Sequence, residues 1–175
     1  MGSFSLVIEY LTGYAVSTDP SSRERAEWPP HPARVYMAMA AAYFETDGPS
    51  DAKRHERDAL EWLATLPPPD LVIPPHSVRD VLEVYVPVND QKGGEALGKR
   101  LRKSRTFPRV HVGGEAVRFV WRVDPVAWRD HIRAIEAVCR AVTRIGHSSS
   151  LVWMRIEDGD GDRPPTFVPD EQGLS

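Results

Sequence analysis

Val117-Arg-Phe-Val-Trp-Arg-Val-Asp-Pro125 is the stretch that decides the fold. Its first seven residues alternate. Val117, Phe119, Trp121 and Val123 share one side, and Arg118 and Arg122 point the other way, which is the period-two pattern of a half-buried strand. Asp124-Pro125 then changes the period. The aspartate accepts a hydrogen bond from a free N–H of the first helical turn, and the proline's missing N–H would be unbonded there anyway. On the helix that follows, Trp128, Ile132, Ile135, Cys139 and Val142 fall on one narrow stripe. Arg129, Arg133, Arg140 and Arg144 fall within about 60° of one another on a different face. Gly146 closes this helix as a C′ residue. His147-Ser-Ser-Ser150 is a short polar loop, and Leu151 to Glu157 is the last strand.

Towards the N-terminus the same reasoning continues. Val81 to Val88 reads as a strand with Leu82, Val84, Val86 and Val88 on one face. Asp51 to Leu66 reads as a helix that buries Ala52, Ala59, Leu63 and Leu66 and is stopped by Pro67. Ala33 to Phe44 is an alanine-rich helix with Val35, Met39, Ala42 and Tyr43 on one stripe, and Pro32 suits its first turn. Thr12 to Pro32 is a long polar loop. Phe4 to Leu11 is the first strand, with Phe4, Leu6, Ile8 and Tyr10 on one face. The order is β-α-(α)-β-[basic insertion]-β-α-β. It predicts an α+β, ferredoxin-like βαββαβ fold with an extra helix after the first core helix. The domain spans residues 1–157, with an insertion at about 89–114 between strands two and three. Residues 158–175 form an acidic, Pro/Gly-rich linker or tail.

Composition bounds the function. A chain of 175 residues buries a sizeable core, and no apolar run approaches the ~20 residues of a membrane span. Met1-Gly-Ser-Phe-Ser-Leu6 has no basic region, so it is not a secretory signal, and cytoplasm is the default. Net charge is −3, which taken alone argues against a nucleic-acid partner. The total hides an asymmetry: Gln91 to His111 carries +6 and the rest −9. A basic block in an acidic body calls for a local partner. Lys99, Arg100, Arg102, Lys103, Arg105 and Arg109 crowd into eleven residues, with Phe107 available to stack. Cations release counterions from phosphates, and an aromatic adds sequence-tolerant stacking.

Other motifs are weaker. Gly93 to Lys99 nearly matches a phosphate loop, but Arg100 replaces the hydroxyl residue that would hold magnesium. Asp158-Gly-Asp-Gly-Asp162 resembles the start of a calcium loop, but Arg163 and Pro169 stand where glycine and glutamate are needed. The six histidines have no metal-ligand spacing, and lone Cys139 lies on an apolar stripe, so no metal or cofactor is expected. Arg144 to Ser150 offers small residues and hydroxyls that let a phosphate approach main-chain N–H groups, and it equally suits an ordinary cap and turn. His31, near Arg34, is either a loop histidine or the acid/base of a metal-independent ribonuclease.

Several phrases together resemble a known family: Tyr10-Leu-Thr-Gly-Tyr-Ala15, Glu27-Trp-Pro-Pro-His-Pro-Ala-Arg34, Tyr85-Val-Pro-Val-Asn-Asp90, Arg105-Thr-Phe-Pro-Arg109 and Thr143-Arg-Ile-Gly-His-Ser-Ser-Ser150. They look like the N-terminal, "Cas five" domain of the CRISPR-associated Cas five–Cas six fusion protein of subtype I-G (formerly I-U), in the RAMP superfamily. The resemblance implies an RRM-like fold and a place in a crRNA-guided surveillance complex (Cascade). There the domain caps the 5′ handle of the crRNA beside a Cas seven-type backbone subunit and a large subunit, and contact with target DNA is left open. It implies that Lys92 to Arg109 is a thumb-like insertion. It also implies RNA contacts from Arg34, Lys99, Arg100, Arg102, Lys103, Arg105, Phe107, Arg109, Arg144, His147, Ser148, Ser149 and Ser150. The family's second, repeat-cleaving domain has no counterpart in these 175 residues, so no catalytic activity is carried over and the reading is of a non-catalytic subunit.

Overall fold

The structure, a computed structural model, describes residues 2–79, 83–87, 102–159 and 163–170. In chain order its elements are β1 (Gly2–Tyr10), β2 (Tyr14–Val16), β3 (Thr18–Asp19), β4 (Ser22–Ala26), α1 (Pro32–Glu45), α2 (Ser50–Thr65), β5 (Asp70–Val72), β6 (His76–Arg79), β7 (Glu83–Pro87), β8 (Arg102–Thr106), β9 (Arg109–Val112), β10 (Val117–Val123), α3 (Pro125–Arg129), α4 (Ile132–Ala141) and β11 (Val152–Asp158).

The alternation of β1 and β10 sets the core. Phe4 lies opposite Trp121, Leu6 opposite Phe119 and Ile8 opposite Val117, and all six are buried. The core sheet runs β11-β1-β10-β5, every pair antiparallel. Each helical crossover thus carries the chain past one intervening strand, which is the ferredoxin-like arrangement. Helix residues Val35, Met39, Leu63, Ile135 and Cys139 pack on the strand side chains in one cluster. At its centre Phe4 stacks on Trp121 at 5.3 Å and on Trp128 at 5.5 Å. Burial raises the Cys139 thiol pKa to about 12, with Glu136 adding to the shift, so this cysteine is a core residue.

Local signals explain the helix ends. Pro32 opens α1, and the His31 ring caps it by accepting from the Ala33 N–H at 3.2 Å. Asp124 caps α3 by accepting from the Val126 N–H at 2.9 Å. α2 stops at Leu66, which is extended ahead of Pro67.

Five expectations are corrected. Thr12 to Pro32 is not a plain loop, since it holds β2, β3 and β4. The valine-rich strand is not the second core strand: β7 pairs with β8 in a separate hairpin, where Tyr85 and Val86 are exposed. Leu82 and Val88 lie outside the described residues. The core position belongs to β5, with Leu71 buried opposite Phe119. The long helix is two helices, interrupted at Asp130–His131, where the His131 N–H bonds back only three residues to the Trp128 carbonyl and its ring stacks on Trp62. Arg129 and Arg144 therefore fall outside α4, so the four arginines do not share one helix, and α4 ends at Ala141, five residues short of Gly146. On α2, Leu60 is buried and Ala52 exposed, because the buried stripe is confined to the helix's C-terminal half. Lastly, residues 166–167 are not a free tail: Leu71 N–H bonds the Phe167 carbonyl and its own carbonyl accepts from Thr166, so they extend the sheet beyond β5.

The expected insertion divides. Residues 88–101, with Lys99 and Arg100, lie outside the described residues. Arg102 to Thr106 forms β8, and Arg109 to Val112 is the middle strand of a second sheet, β2-β9-β6.

Candidate nucleic-acid interface

Val16 is the anchor of the site. Ser150 Oγ accepts from the Val16 N–H at 2.7 Å and donates to the Val16 carbonyl at 3.1 Å, and the His147 N–H reaches the same carbonyl at 3.0 Å. These bonds press the loop after α4 against β2. Gly146 sits in the seam with φ +79°, and a Cβ added there would lie 2.9 Å from the Val16 carbonyl oxygen. Close approach and a left-handed backbone both require glycine. On the other side, Thr106 Oγ1 donates to the Arg23 carbonyl at 2.9 Å and ties β8 to β4.

The result is a groove of about 620 Å³ between these segments. Arg34, Lys103, Arg105, Phe107 and His147, all expected from the sequence, line it together. They come from α1, β8 and two loops. Phe107 meets the His147 ring edge-on at 4.9 Å. Ser149 fixes that ring, since its N–H donates to His147 Nδ1 at 3.2 Å. Arg23 and Thr18 also line it. Sequence reasoning passed over both, because in a stretch read as a polar loop nothing distinguishes Arg23 from Arg25. Among the described residues, Arg23, Lys103 and Arg105 have no carboxylate partner.

Arg34 is held differently. Its Nε and Nη2 bind both oxygens of Glu27, at 2.7 and 2.6 Å, and the His31 N–H adds a third bond to that carboxylate. Burial alone would raise the Glu27 pKa; Arg34 and His31 outweigh it and hold the carboxyl below its ordinary value. Glu27 in turn raises Arg34. Two of the guanidinium's five N–H groups are used, which leaves three as donors. A smaller hollow of about 230 Å³ shares Arg34 and Gly146 with the groove and runs along Ala38, Ala41 and Ala42 of α1 to Arg144. There Arg144 lies 3.5 Å from Glu45.

The remaining expected residues fall elsewhere. Arg109 does not line the groove and sits over the Tyr14 ring at 5.6 Å, beside His111. Arg102 is exposed at the far end of the β7–β8 hairpin. Ser148 is exposed in its loop. Ser150 is corrected: it is 0% exposed and its hydroxyl is committed to Val16, so it is a latch beneath the groove. The His31 ring caps α1 and lines neighbouring hollows, not the groove.

The opposite face of the core sheet is electrostatically closed. Arg118 pairs with Glu157, Arg155 with Glu9 and Glu157, and Arg122 with Asp70. Trp153 lies under the Arg155 guanidinium at 4.5 Å. Among the described residues, the groove cations Arg23, Lys103 and Arg105 thus differ from these paired arginines of the outer sheet face. Among the described residues, no three or more His, Cys, Asp or Glu side chains gather to hold a metal, and no helix is long and apolar enough to cross a membrane.

Residues 1–162 match the family model described as CRISPR-associated protein, GSU0054 family. No curated protein matches the chain.

Proposed function

We propose, from the premise that this chain belongs to the CRISPR-associated GSU0054 family, that it is a non-catalytic RNA-binding subunit of a type I-G surveillance complex. It holds the 5′ handle of the crRNA in the groove and touches a Cas seven-type backbone subunit and the large subunit. The observation that carries this reading is the convergence of Arg23, Arg34, Lys103, Arg105, Phe107 and His147, from separate parts of the chain, on one groove. Among the described residues, four cations there share one carboxylate, Glu27, and that one orients Arg34. Clustered like charges repel, so a polyanion is the partner that relieves them. A single strand fits the composition of the lining: phosphates take the cations, and an unstacked base takes the ring of Phe107.

The test is binding of handle RNA across a salt series. Lys103→Ala with Arg105→Ala is expected to weaken binding by tenfold or more. It should also flatten the slope of log K against log salt by about 0.7 for each phosphate contact removed. Unchanged affinity and slope would refute the site. Repeat RNA incubated with the chain in EDTA is expected to stay intact; cleavage would mean that the subunit is catalytic after all.

A further inference from the structure

Beside the groove, where β3 meets the start of α1, lies a separate hollow of about 500 Å³. Arg34 lines both spaces, and Thr18 of the groove is followed directly by Asp19 of the hollow. The walls differ in kind. Trp28, Pro29 and Met37 present flat or polarisable apolar surface, with Met37 63% exposed. Asp19 and His31 also line the hollow, and the carboxylate bound to Arg34 there is Glu27. Its Oε1 accepts from Arg34 Nε and the His31 N–H, whereas Oε2 accepts only from Arg34 Nη2 among the described residues. A carboxylate oxygen has two acceptor positions, so Oε2 keeps one. Next to it stand the unused donors of Arg34.

We infer that this hollow is a base subsite. It takes one unstacked nucleobase bearing an exocyclic amino group, from the strand whose phosphates lie in the groove. The inference rests on the RNA reading of that groove. The amino group donates to Glu27 Oε2, the adjoining ring nitrogen or carbonyl accepts from Arg34, and the ring lies against Trp28, Pro29 and Met37. Adenine, cytosine and guanine each carry an amino donor beside an acceptor. Uracil puts a carbonyl where the amino group would be; its one edge donor, the ring N3–H, is flanked by carbonyls on both sides, so meeting Glu27 Oε2 through it turns one carbonyl to Arg34 and leaves the other against the site without a donor.

Fluorescence anisotropy with labelled oligo(A), oligo(C) and oligo(U) of equal length, at one salt concentration, tests this. Oligo(A) and oligo(C) are expected to bind about tenfold more tightly than oligo(U), the scale of one well-made base contact. Glu27→Gln, which turns an acceptor into a donor, is expected to bring the ratio to one or below it. Met37→Trp, at an exposed helix position that fills the hollow, is expected to reduce the ratio as well. A preference that survives both variants overturns the subsite. So does equal binding of all three oligomers that Lys103→Ala with Arg105→Ala weakens, and in that case the groove reading stands. Failure of every oligomer to bind overturns both.

Discussion

Gly146 has two independent reasons to be glycine. Its backbone is left-handed, which costs an L residue roughly 1–2 kcal/mol. The Val16 carbonyl that a Cβ would strike cannot retreat, because Ser150 and His147 are bonded to it. Gly146→Ala is therefore expected to lower the unfolding free energy by more than about 1 kcal/mol, read from the denaturant midpoint, and to weaken handle binding because the groove floor shifts. Gly146→Ala with wild-type stability would show that the seam is looser than its geometry says. The sequence marks Arg144 to Ser150 as a stretch of small residues and hydroxyls that a phosphate could approach, and the close approach in the structure is that of the Val16 carbonyl to Gly146. Who approaches was not legible. Ser150 latches a residue 134 positions away, and no local pattern distinguishes a hydroxyl turned to Val16 from one turned to a phosphate. Arg34 stands out in the sequence by its charge near a helix start and His147 by its place in a small polar loop, and both line the groove.

Elements were legible in proportion to their length and self-sufficiency. β1, β10 and β11 carry enough alternation to show which face is buried, and α1 carries both its cap and its stripe. β5 has three residues, too few to establish a period, and its place in the core sheet depends wholly on pairing with β10. β7 shows the converse: its alternation is real, but β8 draws it into a hairpin away from the core. The break between α3 and α4 left the apolar stripe intact, so periodicity alone could not reveal it. The tail is the least local case. Thr166 and Phe167 satisfy both backbone groups of Leu71, and Thr166 Oγ1 accepts from the Ile73 N–H at 3.0 Å. Removing residues 163–175 uncovers an edge strand, and exposed edges pair with other chains. Each lost bond is worth about 1 kcal/mol, so the Leu71 and Ile73 amides are expected to exchange with deuterium about fivefold faster in the truncated chain, with concentration-dependent self-association. Unchanged protection at both amides would mean that the tail does not cap the sheet.

At the scale of the molecule, the outer sheet face and the groove are charged differently. The net −3 is compatible with RNA binding because the arginines of the outer sheet face are paired with carboxylates, while among the described residues the groove cations Arg23, Lys103 and Arg105 have no carboxylate partner. That sorting has a consequence for stability. Glu157 is raised by burial but lowered more by its bonds to Arg118 and Arg155, so its carboxyl titrates below the ordinary range. Glu27 does the same through Arg34 and His31. A carboxyl with a lower pKa in the folded state binds its proton more tightly when unfolded. Its stabilising contribution is therefore complete above the ordinary glutamate value of about 4.3 and disappears as pH falls through the folded value. The urea midpoint is expected to stay nearly flat from pH 7 to about pH 5 and to drop below it. Glu157→Gln should lower the midpoint at pH 7 and shallow the acid limb, because one of the groups that drives the limb is gone. The variant should leave handle binding unchanged, since Glu157 faces away from the groove across the sheet. A Glu157→Gln chain with an acid limb as steep as the wild type's would mean that the outer-face ion pairs are too well solvated to couple to folding. Loss of handle binding in that variant would mean that the two faces of the sheet are not electrostatically separate.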